Sequence, residues 1–222
     1  MSEMISFKRP DGKDCSGHYA KPAAGENAPG VVVIQEWWGL NDQIKGVADR
    51  LAGLGYRAVV PDLYRGKVTV EVAEANHMMT NLNFGDAAGQ DIKGAVQHLK
   101  KTSPKAGVVG FCMGGALAVL SAVFVKEANA VSSWYGFPPE GAADVKTISI
   151  PLQLHFADQD AFFVPENARA LEAQLKEGKV NFETHWYNAN HAFGNETGSN
   201  HNPEATKLAW QRTVDFFARH LK

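Results

Sequence analysis

A pentapeptide in the middle of the chain, Gly110-Phe111-Cys112-Met113-Gly114, restricts the fold more than any other stretch. The apolar run 106–109 leads into it, and a long run of apolar and small residues, 116–125, leads out. Strand, sharp turn and helix in that order make an elbow that raises the central side chain above the carboxyl end of a parallel sheet, and the flanking glycines let neighbouring backbone approach closely. A cysteine at the turn would sit at a helix N-terminus, where the dipole favours a thiolate and the backbone N–H of Met113 is free to bind an oxyanion. The same pentapeptide also suits a small buried cysteine between two packing glycines. A base and an orienting acid elsewhere in the chain decide between the two readings.

The remaining pattern supplies the sheet that an elbow requires. Residues 5–9 and 15–20 flank the turn pair Asp11-Gly12 and read as an opening hairpin. A buried strand is predicted over 31–34 and a helix over 42–54, through Ile44, Val47, Ala48, Leu51 and Leu54. Gly55 serves as its stop and another strand follows over 57–60. Further helices are predicted over 91–99, 166–175 and from about 203 to the C-terminus, the last with Trp210, Val214, Phe217 and Leu221 on one stripe. Strands are predicted over 128–134, 150–156 and 182–187. Alternation of this kind implies an α/β fold, a mostly parallel central sheet with helices on both faces, whose ligand groups lie off the carboxyl ends of the strands. A chain of 222 residues is expected to form one such domain, 1–222.

Charge excludes several classes of partner. A net charge of -2 leaves no electrostatic footprint for nucleic acid or an anionic membrane, so a small molecule is the expected partner. The N-terminus lacks an apolar signal core, and the longest apolar stretch, around Ser121, is too short to span a bilayer; a cytoplasmic location is expected. Both cysteines, Cys15 and Cys112, are read as free thiols, and Cys15, without an elbow or a helix behind it, as an ordinary strand residue.

Two later loops carry the missing chemistry. The strand ending at Phe156 runs into Ala157-Asp158-Gln159-Asp160, and the strand ending at Tyr187 runs into Asn188-Ala189-Asn190-His191. His155 and His185 lie within strand patterns and His201 in a polar loop, which leaves His191 as the histidine just past a strand end. It would take the proton from Cys112 and pass it to a leaving group, while Asp158 or Asp160 fixes its tautomer. Nucleophile, acid and histidine then follow the chain order of α/β-hydrolases.

Taken together, five ordered blocks resemble the dienelactone hydrolase, or carboxymethylenebutenolidase, family. They are Gln35-Glu36-Trp37-Trp38-Gly39-Leu40-Asn41, Pro61-Asp62-Leu63-Tyr64, Gly110 to Gly115, the Asp160 loop and Asn190-His191-Ala192-Phe193. The resemblance implies an α/β-hydrolase fold and a Cys112, Asp160, His191 triad acting on a small ester or lactone through a thioester, with no metal or organic cofactor. It favours Asp160 over Asp158, gives Glu36 a contact with the thiol that controls when the thiolate forms, and adds the N–H of Trp37 to that of Met113 in the oxyanion hole. It also exposes a departure. Arginines hold the substrate carboxylate in family members that act on dienelactone, but Asn195 stands at one of those positions and Lys67 is the only Lys or Arg between Gly66 and Asp86. Arg65 or Lys67 would have to substitute.

Two rivals follow from the same residues. A cysteine amidotransferase of flavodoxin-like fold also carries an elbow cysteine, but would place its histidine before its acid. A non-catalytic binding protein on the hydrolase fold would leave the elbow thiol unreactive.

Overall fold

The computed structural model describes residues 2–23, 25 and 27–222. Its opening hairpin pairs β1 (Ser2–Lys8) with β2 (Asp14–Ala20), Phe7 facing Cys15 across the ladder, and Gly12 takes the left-handed φ of 84° that the turn needs. Then β3 (Gly30–Ile34), α1 (Asp42–Gly53) and β4 (Arg57–Pro61) form a parallel βαβ unit whose two strands are wholly buried. The side chain of Asn41 caps α1, accepting from the Ile44 N–H at 3.1 Å. Leu54, assigned by spacing to the buried stripe of this helix, falls instead at its C-cap and is exposed, because Gly55, at a φ of 90°, already turns the chain toward β4.

Between residues 66 and 100 the structure holds more helix than the sequence pattern indicated. α2 (Val72–Thr80) has a short apolar face, and α3 (Phe84–Asp86) continues through a π-helical segment, Ala87–Ile92, into α4 (Lys93–Lys100). The π turn buries Asp91, which accepts from Arg9 at 3.1 Å and from Arg65 at 2.8 and 2.9 Å. Thereafter β5 (Ala106–Phe111), α5 (Met113–Phe124), β6 (Ala130–Trp134), β7 (Leu152–Ala157), α6 (Pro165–Glu177), β8 (Phe182–Tyr187) and α7 (Pro203–Leu221) follow in order. On α7 the buried stripe runs through Ala209, Thr213, Phe216, Phe217 and Leu221. Trp210 and Val214 are half-buried at its margin, Trp210 lying under the Arg50 guanidinium at 4.9 Å.

The eight strands form one sheet in the order β1-β2-β4-β3-β5-β6-β7-β8, antiparallel from β1 to β4 and parallel from there on. Helices cover both faces, and α5, apolar on every side, is buried along almost its whole length. After β3 the chain first adds β4 on one side and then crosses to β5 on the other. The carboxyl ends of β3 and β5 therefore border a crevice where this kind of sheet binds ligands. Among the described residues, no helix is long and apolar enough to cross a membrane.

Candidate active site

Cys112 occupies the turn between β5 and α5 with a φ of 55°, a left-handed conformation costly to a residue with a side chain. The glycines beside it are needed for contact as well as for bending. A Cβ on Gly110 would overlap the carbonyl of Gly114, and one on Gly114 would lie 2.5 Å from the carbonyl oxygens of both Ile34 and Gln35. The elbow is thus pressed against the end of β3, which brings Glu36 into the same site.

His191 and Asp160 arrive from the loops after β8 and β7. His191 Nε2 lies 3.1 Å from the Cys112 Sγ, and its Nδ1 lies 2.8 Å from Asp160 Oδ2. The other oxygen of Asp160 accepts from the backbone N–H groups of Phe162 and Phe163, both at 2.8 Å, so this buried carboxylate is fixed at both ends. With Nδ1 donating to Asp160, Nε2 is left as the acceptor for the thiol proton. Phe163 stacks on the imidazole at 5.5 Å between centroids, and Tyr135 meets it edge-on at 5.4 Å. Asp158 is exposed and accepts from the Ala189 N–H, holding its own loop. His155 is buried against Tyr187, Gln153 and Thr213, away from the sulfur, and burial drives its pKa well down. His185 stacks on it, and His201 lies in the loop before α7.

The electrostatics correct one expectation. Although the Met113 N–H donates to the sulfur and favours its charged form, burial of Cys112 and the neighbouring Glu36 carboxylate together push the thiol well above its ordinary range. Desolvation outweighs the helix N-terminus and favours the thiol over the thiolate on the cavity floor. Cys15 is buried in β2 beside Arg65 and Asp91, and burial pushes it up to about 12, which leaves it inert.

Glu36 follows β3 and is buried. Its oxygens accept from the Tyr135 hydroxyl at 3.1 Å and from Asn195 Nδ2 at 2.7 Å, rather than from the thiol. Asn195 is oriented in turn by the Thr197 N–H and hydroxyl, which donate to its Oδ1 at 3.0 and 2.8 Å. Both partners of Glu36 are neutral, and desolvation raises its pKa in spite of them. Tyr135 was not foreseen, although it stands just past the carboxyl end of β6, the position that singles out His191 after β8. Its φ of 39° and that of Ala192, 60°, add two more left-handed residues around the thiol. The half-buried Trp37 lines the cavity beside Cys112, and the buried Tyr64 donates its hydroxyl to the Met113 sulfur at 3.2 Å.

These groups sit under a cavity of about 370 Å³, at the small end of the range for ligand sites. Trp37, Trp38, Met79, Phe162 and Phe163 give it apolar walls; Asn195, Ser199 and Asn200 contribute its neutral polar groups. Neither Arg65 nor Lys67 lines it. Among the described residues, no group of three or more His, Cys, Asp or Glu side chains is placed to hold a metal ion.

Comparison with known proteins covers nearly the whole chain. The sequence profile of the dienelactone hydrolase family matches residues 16–221. Protein usf of Aquifex pyrophilus is 34% identical over 100% of both chains, and the carboxymethylenebutenolidase of Pseudomonas putida is 30% identical over 98% of this chain and 97% of its own. Among solved structures, a dienelactone hydrolase-like promiscuous phosphotriesterase from metagenomic libraries is 25% identical, with a TM-score of 0.85 over 100% of this chain and 99% of that one.

Proposed function

Because the chain belongs to the dienelactone hydrolase family and is therefore a hydrolase of ester or lactone bonds, we propose that it works through an acyl-thioester on Cys112, with His191 as base and Asp160 as its orienting acid. Membership in this hydrolase family speaks against both the flavodoxin-like amidotransferase and the non-catalytic binding protein. The observation that carries the reading is the relay of 3.1 Å from sulfur to imidazole and 2.8 Å from imidazole to carboxylate, on the floor of a small apolar cavity.

In this mechanism His191 Nε2 takes the thiol proton as the sulfur attacks the carbonyl carbon. The oxyanion is held by the Met113 N–H, which faces the sulfur in the resting site, with the Trp37 N–H as second donor. Collapse of the tetrahedral species expels an alkoxide, which leaves with the proton from His191. Water, deprotonated by the same nitrogen, then cleaves the thioester and returns the proton to sulfur. Glu36 sets the starting point by opposing ionisation of Cys112, so the thiolate forms only as the proton passes to His191.

Steady-state hydrolysis of a simple aryl ester tests these assignments. Cys112→Ala should reduce the rate to background and Asp160→Asn should cost roughly 10⁴-fold, as for the orienting aspartate of serine proteases. Cys15→Ala and Asp158→Asn should retain nearly full rates. An inactive Asp158→Asn beside an active Asp160→Asn would reverse the assignment of the acid.

A further inference from the structure

The charges around the cavity are all of one sign or already neutralised. Its floor holds the Glu36 carboxylate, whose two partners are a phenol and an amide, and the Asp160 carboxylate lies behind the imidazole. None of its lining residues is Lys or Arg. Nearby cations are committed elsewhere. Arg65 spends one terminal nitrogen on both oxygens of Asp91, at 2.8 and 2.9 Å, and the other on the Asp62 carbonyl, at 2.7 Å. Arg50 pairs with Glu196 and lies over Trp210, and the exposed Lys67 is outside the lining.

A substrate carboxylate drawn into this space would lose water against Trp37, Trp38, Met79, Phe162 and Phe163 and find no cation to replace it. An uncharged alkyl or aryl group in the same place gains from the same walls. We propose that the site selects neutral, apolar esters and lactones and discriminates against substrates whose body, lodged in the cavity, carries a carboxylate. This deepens the hydrolase assignment above and rests on it for its kinetic arm.

The kinetic arm uses methyl 4-acetoxybenzoate and 4-acetoxybenzoate, which share a scissile acetyl group and differ in that the second carboxyl is a neutral methyl ester in one and a free anion in the other. Each kcat/KM is divided by the rate of hydroxide-catalysed hydrolysis to remove the difference between the leaving phenols. The neutral ester should be preferred about ten- to a hundredfold, the value of one missing charged hydrogen bond. Ser199→Arg, which puts a cation on the exposed rim of the cavity, should narrow that ratio by accelerating the anion. A wild-type ratio near or below one overturns the proposal, as does a Ser199→Arg enzyme with an unchanged ratio. A second arm needs no turnover: ethyl benzoate should slow alkylation of Cys112 by iodoacetamide at concentrations where benzoate does not. Equal or stronger protection by benzoate overturns the charge selectivity. Hydrolysis that persists at the wild-type rate in Cys112→Ala, with protection still selective for the ethyl ester, refutes the mechanism and leaves the charge selectivity standing.

Discussion

Cys112 and Glu36 illustrate how much of this site is decided by desolvation. A thiol at a helix N-terminus would ordinarily ionise easily, yet here it is buried beside a carboxylate that is itself short of water, and both its burial and that carboxylate oppose its ionisation. Tyr135 and Asn195 hold Glu36 without neutralising it. That arrangement has a consequence for stability with a definite sign. Burial raises the Glu36 pKa above its ordinary value, so the folded protein keeps a proton that the unfolded chain has already lost. The stabilisation from Glu36 is complete below the ordinary carboxylate range and declines as pH rises through the raised folded value. In Glu36→Gln the amide oxygen can still accept from Asn195 and its NH₂ can donate to the Tyr135 oxygen, with nothing left to titrate. The Tm of Glu36→Gln relative to wild type should therefore climb as pH rises above the ordinary carboxylate range, from about pH 4 upward. A difference that stays flat with pH, or falls, would mean that Glu36 is ionised at little cost.

At the scale of elements, the elbow works because α5 starts against the end of β3, with only glycine fitting between them. A methyl group at Gly114 would press on two carbonyl oxygens of a central strand that cannot move, whereas one at Gly46, in α1, would meet nothing within 4 Å. Opposite outcomes follow from the same substitution. Gly46→Ala should stabilise by about 1 kcal/mol through helix propensity, raising Tm by about 2–4 °C for a protein of this size. Gly114→Ala should destabilise by about 1–3 kcal/mol and also lower kcat/KM, since any shift of α5 changes the distance between Cys112 and His191. Thermal melts and ester hydrolysis on the two variants check both, and a neutral Gly114→Ala would show that the elbow is looser than this packing implies.

For the molecule as a whole, local pattern carried the strands and most helices because apolar periodicity and the turn glycines are properties of short stretches. The elbow at Cys112 and the positions of His191 and the Asp160 loop were legible for the same reason, each lying just past a predicted strand. Choosing Asp160 over Asp158 took a family likeness, because two aspartates two residues apart in one loop differ only in what the fold brings near them. Tertiary quantities were not legible. The preference of Cys112 for its protonated form depends on burial, the Tyr135–Glu36 contact joins the ends of β6 and β3, and the helix Val72–Thr80 has too narrow an apolar face to stand out in sequence. Leu54 and Trp210 miss their expected burial because helix ends and stripe margins are set by the neighbouring elements. The catalytic groups converge on the Cys112 sulfur, and the most direct measurement is mass spectrometry of wild-type enzyme mixed with an activated aryl ester and quenched in acid within the first turnover. The mass should increase by one acyl group, mapped after digestion to the peptide that contains Cys112, and be lost in Cys112→Ala. An acyl group on Cys15 or any other residue, or steady hydrolysis by Cys112→Ala at the wild-type rate, would contradict the mechanism.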